Sequence, residues 1–363
     1  MTLPGIEKCN NILFIRRDNI GDLVCTTPAI KAVRQKYPGA RISLLVNSYN
    51  AEVVRNNPDI NDIYVYEKGK HRGNKGRLSV LAANAGLMRR IRAEKFDCAI
   101  GCSFSYSPRL ARYTSMTKAR LRIGYAAEGK VSKIYNCPVE APAGPLHEVE
   151  AVMGLLAPLG ITGPAPALSV TPNPGTLQRV KKTISKGKRK NPLIAFHISS
   201  RRPENRWPVE SFAELIKKIT AAYNVRPLVL WSPGAADNPL HPGDDESAKK
   251  LGDMLGNNTI LFKTKTLGEL IAALSAAEMA VCLDGGAMHL AAGLGKAVLT
   301  IWGSTDPAHW APWGVENIIL RSPEGRAAVV SANEAFTAFE GFGLIKELRN
   351  TGGGGRGRGS GTL

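Results

Sequence analysis

Residues 12–30 read ILFIRRDNIGDLVCTTPAI, and this stretch decides how the chain begins to fold. The apolar run at 12–15 predicts a buried strand, and a helical pattern follows the turn after it. That turn carries two arginines, Arg16 and Arg17, together with the acid Asp22. A carboxylate at this position either caps the helix or takes part in chemistry, and the residues alone leave both interpretations open.

The same strand-then-helix rhythm continues along both halves of the chain. Predicted strands lie at 12–15, 41–46, 63–66, 98–101 and 122–124, and then at 193–197, 227–230, 279–283 and 297–301. Predicted helices lie at 28–36, 78–93, 209–222, 245–254, 267–277 and 287–294. Short apolar strands that alternate with helices are typical of parallel sheets covered by helices. We therefore expect two doubly wound α/β domains that face each other across a ligand cleft.

Composition changes in the middle of the chain, where residues 160–192 are rich in Pro, Gly, Thr and Lys. This change predicts the boundary between the domains. The expected division is a first domain over 1–172, a basic linker over 173–191, a second domain over 192–333, a C-terminal helix over 334–349 and a disordered Gly/Arg tail over 350–363.

The formal net charge of +18 is the strongest global signal. It concerns partners rather than the fold, because a strongly positive field attracts polyanions such as nucleic acid, an anionic membrane or a phosphorylated substrate. Two runs, 68–93 and 172–192, contain many Lys and Arg residues and no acidic residue. Each run is either a ligand-binding surface or a solvated face.

Several common catalytic signatures are absent from the sequence. It has no GxxxxGK[ST] phosphate loop, no GxGxxG after a strand, no HExxH and no GxSxG. Its six cysteines are never in CxxC spacing, so we expect reduced core residues rather than a metal site. No apolar run reaches the roughly 20 residues of a membrane span, and the N-terminus lacks the apolar core of a signal peptide. These absences favour a cytoplasmic protein.

A second informative stretch is CLDGGAMHLAAG, residues 282–293. Here a predicted strand leads into Asp284, Gly285 and Gly286, which turn the chain into a helix. Two glycines leave the backbone N–H groups of the helix start approachable, and with the helix dipole they form an anion site suited to a diphosphate. The alternatives are a tight turn in which Asp284 is an N-cap, and a packed His289 without a catalytic role.

The third informative stretch is FHISSRRPENRWP, residues 196–208. After a strand come Ser199 and Ser200, and then arginines that include Arg202 and Arg206. Hydroxyl and guanidinium groups clustered at a strand end suit phosphate oxygens. A solvated turn is the alternative interpretation.

These three stretches, in order, resemble the motifs of the family 9 glycosyltransferases, whose best-known members are ADP-heptose:lipopolysaccharide heptosyltransferases. The first motif runs from ILFIR through IGD to TP over 12–28, and the second runs from SS to WP over 199–208. The third is DGGAMHLAA followed by GSTDP over 284–307, and it is the most specific of the three. The resemblance extends from about residue 11 to residue 348.

The resemblance implies a GT-B fold, in which two Rossmann-like domains with parallel sheets face each other across a cleft. In such enzymes the N-terminal domain mainly binds the acceptor and the C-terminal domain mainly binds the nucleotide sugar. The implied reaction is an inverting, metal-independent transfer of heptose from ADP-heptose, without a cofactor. Its general base would be Asp22. The expected donor-binding residues are Ser199, Ser200, Arg202, Arg206, Asp284, Gly285, Gly286, Ala287 and His289, and the expected acceptor-binding residues are Arg16, Arg17 and Gly21.

An anionic glycolipid, most naturally the inner core of lipopolysaccharide, would account for the basic first half of the chain. Because that acceptor grows on the inner membrane, a peripheral contact with its cytoplasmic face is expected, and nucleic acid is not. The alternatives are the same fold acting on a protein or capsule glycan, or using another nucleotide sugar. A non-catalytic polyanion or nucleic-acid binder is a minor alternative, supported only by the charge and the Arg-Gly tail.

Two positions depart from the family pattern. Asn205 stands where many members have a lysine that contacts phosphate, so Arg202 or Arg206 is a candidate to replace that lysine. Gly285 stands where a hydroxyl residue is common, which removes one phosphate contact.

Overall fold

The computed structural model describes residues 9–67, 76–127, 134–185, 191–238 and 242–352. The chain forms two compact units. The first comprises Met1–Asn173 and Asp306–Gly314, and the second comprises Pro174–Thr305 and Val315–Leu363. A short segment of the C-terminal half therefore belongs to the first unit.

Within the described residues, the first unit is built on a six-stranded parallel sheet. Its strands are β1 (Asn11–Ile15), β2 (Arg41–Asn47), β3 (Asp62–Tyr66), β4 (Cys98–Gly101), β5 (Leu121–Tyr125) and β6 (Cys137–Val139). They are ordered β3-β2-β1-β4-β5-β6. The side chains at 12–15 are fully buried, because the central strand β1 has both faces covered. This burial explains why its sequence is a continuous apolar run rather than an alternating one.

The second unit has an equivalent sheet in the described part of the chain. Its strands are β7 (Leu193–His197), β8 (Arg226–Trp231), β9 (Ile260–Lys263), β10 (Met279–Leu283), β11 (Ala297–Trp302) and β12 (Asn317–Arg321). They are all parallel and are ordered β12-β11-β10-β7-β8-β9. The six strands of each unit, counted from its own first strand, thus follow one and the same order.

Helices connect the strands in both units. Those before the second sheet are α1 (Ile20–Val24), α2 (Thr27–Lys36), α3 (Arg77–Ala93), α4 (Pro108–Met116), α5 (Glu148–Gly154) and α6 (Pro174–Ser185). Those after its first strand are α7 (Val209–Ala222), α8 (Asp245–Leu255), α9 (Leu267–Ala276), α10 (Gly286–Gly293), α11 (Pro307–Trp310), α12 (Ala332–Glu340) and α13 (Gly343–Gly352). Of these, α11 lies in the segment that belongs to the first unit.

The strand order fixes where each unit can bind a ligand. In the first sheet β1 lies between β2 and β4, and in the second β7 lies between β8 and β10. At such a switch point the loops leaving the two central strands run in opposite directions, which opens a crevice at their carboxyl ends. The prediction of two Rossmann-like α/β domains with parallel sheets is confirmed.

Some predicted elements differ from those observed. Helix α6 occupies most of the stretch predicted to be a linker, and it packs on α9 through the buried side chains of Val180 and Ile184. Pro174 and the many lysines concealed this pattern in the sequence. The helix predicted over 334–349 is instead two helices, because the buried Phe342 enters the core between α12 and α13. The tail beyond residue 352 lies outside the described residues.

All six cysteines are buried and free of disulfides, as predicted. Burial raises the pKa of Cys102 and of Cys282 to about 12, so these thiols stay protonated at neutral pH. They pack as small core residues.

Candidate functional site

The first cluster of polar residues lies where β1 ends in the first unit. Asp22 is buried within the short helix α1. Its Oδ2 accepts a hydrogen bond from the backbone N–H of Asn19 at 2.8 Å, and its Oδ1 accepts one from Arg16 at 2.7 Å. Asp22 therefore does stabilise the helix start, and it also faces a cavity. The two interpretations of the sequence are compatible.

Arg16 is 2% exposed and lies among three carboxylates. Its guanidinium is 2.7 Å from Asp22, 2.7 Å from Glu148 and 3.4 Å from Asp18. Burial opposes the charged form, but Glu148 and Asp22 outweigh it and raise the pKa of Arg16. Arg16 is therefore an internal cation whose charge is already compensated.

Glu148 begins α5, is 1% exposed, and links Arg16 to a residue from the C-terminal half of the chain. Its Oε2 lies 3.2 Å from His309 Nε2, while His309 Nδ1 lies 2.7 Å from the carbonyl oxygen of Leu146. Both ring nitrogens of His309 thus face acceptors, which favours the doubly protonated ring. The hydrogen bond to Glu148 accordingly raises the pKa of His309.

His147, which precedes Glu148, also contacts the segment Asp306–Gly314 to which His309 belongs. Its Nδ1 accepts from the backbone N–H of Val149 at 3.1 Å, so its Nε2 carries the proton and donates to the carbonyl oxygen of Ala311 at 2.9 Å. Its ring packs against Trp313 with centroids 4.7 Å apart. Burial lowers the pKa of His147, which keeps the ring neutral. Two histidines whose pKa values are shifted in opposite directions therefore contact the segment Asp306–Gly314.

Arg17 differs sharply from its neighbour Arg16. Its guanidinium stacks over the ring of Tyr113 at 3.6 Å and also over that of Tyr66 at 4.8 Å. Tyr66 additionally donates its hydroxyl to the backbone carbonyl of Arg17 at 3.1 Å. Stacking on aromatic faces holds a cation without neutralising it. Arg17 is thus oriented in advance for an anion.

A cavity of about 590 Å³ opens in front of these groups. It is lined by Arg16, Arg17, Asp18, Asp22, Ser103, Phe104, Ser105, Ser107, Pro108, Arg109, Leu110, Glu148, His309 and Trp310. The lining combines cations, carboxylates, hydroxyl groups and aromatic rings, which is a composition suited to a polar, hydroxyl-rich ligand such as a sugar. Gly21 is buried inside α1 and does not line the cavity.

Sequence reasoning missed Glu148 and His309. A signal for Glu148 did exist, since it falls on the same helical face as the buried Val152 and Leu155. An acid on an apolar face is paired when it is buried. His309 carried no such signal, because only the fold brings it to α5.

The second polar cluster lies where β7, β10 and β11 end in the second unit. Asp284 Oδ2 accepts hydrogen bonds from Asn205 Nδ2 at 2.7 Å and from the Thr305 hydroxyl at 2.5 Å. Asn205 Oδ1 accepts from the backbone N–H of Gly303 at 3.1 Å. Burial raises the pKa of Asp284, although the bonds from Thr305 and Asn205 oppose this rise. Asp284 thus joins three loops.

Gly303 is required in this arrangement. A Cβ at this position would lie 2.5 Å from the carbonyl oxygen of Glu204, which is closer than real Cβ contacts allow. Asn205, at 1% exposure, is a buried bridge. It does not stand in for a phosphate-contacting lysine.

The predicted anion site at the start of α10 is accessible. Gly285 is exposed with φ 154° and ψ −168°, a backbone region that is essentially restricted to glycine. Gly286 begins the helix, Ala287 follows it, and His289 is 4% exposed one turn further on. The helix start therefore presents backbone N–H groups rather than side chains.

The loop after β7 uses several of its polar groups for contacts within the second unit. Ser199 accepts a hydrogen bond from the backbone N–H of Ser232 at 2.9 Å. Arg206 donates to the carbonyl oxygen of Ser200 at 3.0 Å and pairs with Asp244 at 3.2 Å. Arg202 is exposed, and its charge acts on Asp284. Of the two arginines, Arg202 is the one whose charge lowers the pKa of Asp284, while Arg206 pairs with Asp244.

No group of three or more His, Cys, Asp or Glu side chains that could hold a metal ion occurs among the described residues. The helices in the described ranges are all too short or too polar to cross a membrane.

Comparison with known proteins agrees with this geometry. The profile of glycosyltransferase family 9 (heptosyltransferase) matches residues 85–338. Lipopolysaccharide heptosyltransferase 3 of Escherichia coli K12 is 26% identical over 305 residues, which cover 82% of this chain and 84% of that protein. Lipopolysaccharide heptosyltransferase 1 of the same strain is 23% identical, covering 86% of this chain and 93% of its own length.

Solved structures share the fold. A family 9 glycosyltransferase from Veillonella parvula superposes with a TM-score of 0.78 at 20% identity, covering 93% of this chain and 97% of that one. The E. coli heptosyltransferase WaaC with ADP gives a TM-score of 0.74 at 18% identity, covering 91% and 99%. This likeness confirms the predicted GT-B fold.

Proposed function

The chain belongs to glycosyltransferase family 9, the heptosyltransferase family, and from this premise we propose that it transfers heptose from ADP-heptose, with inversion and without a metal. The proposed acceptor is an anionic glycolipid, the inner core of lipopolysaccharide. The observation that carries the proposal is Asp22, a fixed carboxylate at the edge of a cavity whose lining includes arginines, serines and further carboxylates. The names of the similar lipopolysaccharide heptosyltransferases support the choice of acceptor.

Asp22 is the proposed general base. Its carboxylate accepts hydrogen bonds from Arg16 at 2.7 Å and from the backbone N–H of Asn19 at 2.8 Å, and these bonds fix it at the edge of the cavity. As the acceptor oxygen bonds to the anomeric carbon of heptose, its proton passes to Asp22. The carbon–oxygen bond to the diphosphate breaks, and its electron pair leaves with ADP.

The departing diphosphate accumulates negative charge, and the second unit has groups that can stabilise it. The proposed ones are the backbone N–H groups at Gly285 and Gly286, the Ser200 hydroxyl and the Arg202 guanidinium. The open start of α10 and the exposure of Arg202 support this assignment. Helix N-termini and cations aimed at developing charge stabilise a transition state without a metal. Asp284 then acts by holding the loops together. The similar E. coli heptosyltransferase WaaC was solved with ADP, which supports the choice of nucleotide.

Acceptor recognition is proposed for Arg17 and Arg109, together with the serines that line the same cavity. Arg17 suits an anionic substituent because its aromatic neighbours orient it but do not neutralise it. Arg16, which has three carboxylates around it, instead holds the base in position.

A membrane contact is proposed for α3. Leu78 and Leu81 are 81% and 57% exposed, and Arg89 and Arg90 are exposed further along the same helix. Apolar side chains and cations exposed on one face of a helix suit an anionic bilayer surface. The doubly substituted Leu78→Ser, Arg89→Glu chain, whose two positions lie on the same face of α3, should cosediment less with phosphatidylglycerol vesicles than the matched control Val329→Ser, Lys217→Glu. Equal binding of both variants would argue against this surface.

The deciding experiment incubates the protein with ADP-heptose and purified acceptors, namely heptose-free and heptose-bearing lipopolysaccharide cores, a capsule glycan and a serine-containing protein. Mass spectrometry identifies the product, and NMR identifies the anomer. We expect a heptose added to a lipopolysaccharide core, with inverted configuration, at a rate that EDTA does not change. Transfer to another acceptor alone, or from another nucleotide sugar alone, would overturn the assignment.

A further inference from the structure

A base held by an arginine raises a chemical difficulty. Asp22 lies 2.7 Å from the buried Arg16, and a neighbouring cation lowers the affinity of a carboxylate for a proton. General-base catalysis requires that the carboxylate take a proton from the acceptor hydroxyl. If Arg16 paired with Asp22 alone, Asp22 would be a poor base.

Arg16 pairs with a second buried carboxylate as well, that of Glu148. Glu148 contacts the same guanidinium at 2.7 Å and is 1% exposed, so water screens its charge little. Asp18 also approaches Arg16, at 3.4 Å, but its side chain is 51% exposed and its effect is therefore small. Glu148 is thus the main competitor of Asp22 for the charge of Arg16.

The second oxygen of Glu148 faces His309 at 3.2 Å. When His309 is protonated, its positive charge partly neutralises Glu148. Glu148 then offsets less of the positive charge of Arg16. The network then runs from His309 through Glu148 and Arg16 to Asp22, with cations and anions in alternation.

We propose that Glu148 is a positioning residue that raises the proton affinity of Asp22 by sharing the Arg16 guanidinium, and that His309 limits this effect. The inference rests on the proposed role of Asp22 as the base. Glu148 does not contact the reacting atoms. It acts through Arg16, which holds Asp22 in position at the edge of the cavity.

Other titratable or charged groups surround this network. They are Arg17, Asp18, Cys25, Cys102, Arg109, Tyr125, His147, Glu150 and Asp306. Burial raises the pKa of Cys102 and of Tyr125 to about 12 and lowers the pKa of His147, so these groups are neutral near pH 7. Replacing Glu148 or His309 leaves all of them in place.

Two substitutions should act in opposite directions. Glu148→Gln keeps the shape of the side chain but removes its negative charge, so Arg16 acts more strongly on Asp22 and the titration midpoint of Asp22 falls. His309→Gln removes a positive charge, so Glu148 offsets Arg16 more fully and the midpoint rises. A residue with a merely structural role would not produce opposite shifts.

The test is a ¹³C NMR titration of the full-length protein labelled at the aspartate carboxyl carbons, with the Asp22 signal assigned by its loss in Asp22→Asn. We expect Glu148→Gln to lower the Asp22 midpoint by about one pH unit and His309→Gln to raise it. The control is Glu52→Gln, which removes an exposed carboxylate that also lies 2.7 Å from an arginine, Arg55, and should leave the midpoint unchanged.

Midpoints that do not move, or that move in the same direction in both variants, would overturn the proposal. Because the titration needs neither donor nor acceptor, its result is independent of the assigned reaction. Opposite shifts in a protein that does not transfer heptose would refute the proposed function and leave the role of Glu148 standing. In an active protein, the acidic limb of kcat/KM should shift as the Asp22 midpoint does.

Discussion

Asn205 and Asp284 are joined by a 2.7 Å hydrogen bond although they lie 79 positions apart in the sequence. The bond connects the loop after β7 to the loop after β10, and the other end of the Asn205 amide accepts from Gly303 in the loop after β11. One buried amide therefore sets the relative positions of three loops around the proposed donor site. Asn205, which stands where many family members have a lysine, therefore makes a structural contact.

Replacing Asn205 by Asp should destabilise the second unit and weaken donor binding. The substitution keeps the shape but places a second carboxylate against Asp284, without a donor between them. We expect a loss of about 1–3 kcal/mol in the free energy of unfolding, measured by urea denaturation, and weaker binding of ADP by calorimetry. Asn191→Asp is the matched control, because the Asn191 side-chain amide also donates to a side-chain oxygen, that of Asn224, but does so near the surface. Unchanged stability of Asn205→Asp would contradict the bridging role.

Replacing Arg16 by Gln should mainly reduce stability, whereas replacing Arg17 by Gln should mainly weaken acceptor binding. Arg16→Gln removes the guanidinium that Asp22 and Glu148 share in the interior, so we expect a loss of about 3–5 kcal/mol in the free energy of unfolding. Arg17→Gln loses stacking on Tyr113 and Tyr66 but leaves no buried carboxylate without its cation, so it should keep most of its stability, while the KM for an anionic acceptor rises roughly tenfold or more. Urea denaturation and acceptor kinetics distinguish the two outcomes. Equal effects of both variants on stability would refute the distinction.

Asp22→Asn should abolish transfer and spare nucleotide binding. The amide keeps the contact with the Asn19 backbone region but cannot take a proton, so we expect a fall in kcat of about 10²–10⁴-fold with an unchanged Kd for ADP. Asp62→Asn is the control, since Asp62 also pairs with an arginine at 2.7 Å in the same unit. Substantial activity of Asp22→Asn would exclude this residue as the base.

Stability should depend on pH through His309. Its hydrogen bond to Glu148 raises the pKa of the folded state above the ordinary value of 6.5. The stabilisation is therefore complete below pH 6.5 and is lost as the pH rises through the raised value. We expect His309→Gln to lower the urea midpoint more at pH 6 than at pH 9.

His147, whose pKa burial lowers, acts in the opposite sense and destabilises the fold as the pH falls below 6.5. Because both histidines contact the same segment, the pH dependence of the urea midpoint of the wild type contains the effects of both. The difference between the wild type and His309→Gln isolates the effect of His309. A difference that does not depend on pH would contradict the protonated state of His309.

The sequence predicted the buried central strands well and the peripheral elements poorly. The strands at 193–197 and 279–283 were placed at their observed ends, because both faces of a central parallel strand are buried and the apolar run is continuous. The edge strands β6, β9 and β12 were missed, since each is only partly buried and its residues resemble those of a loop. Helix α1 was missed because a single turn has no readable period.

What the sequence determined by itself is the order of the central strands and the segments after β1 and β10 that carry Asp22 and Gly285, because backbone conformation and burial leave local patterns. Only the tertiary structure decided which charges meet. Arg16 and Arg17 are adjacent and chemically alike, yet one lies between Asp22 and Glu148 and the other on Tyr113. The same is true of His309, which reaches Glu148 from the far half of the chain. Which charged groups pair is set by their distance in space. The separation of two residues along the chain does not reveal that distance.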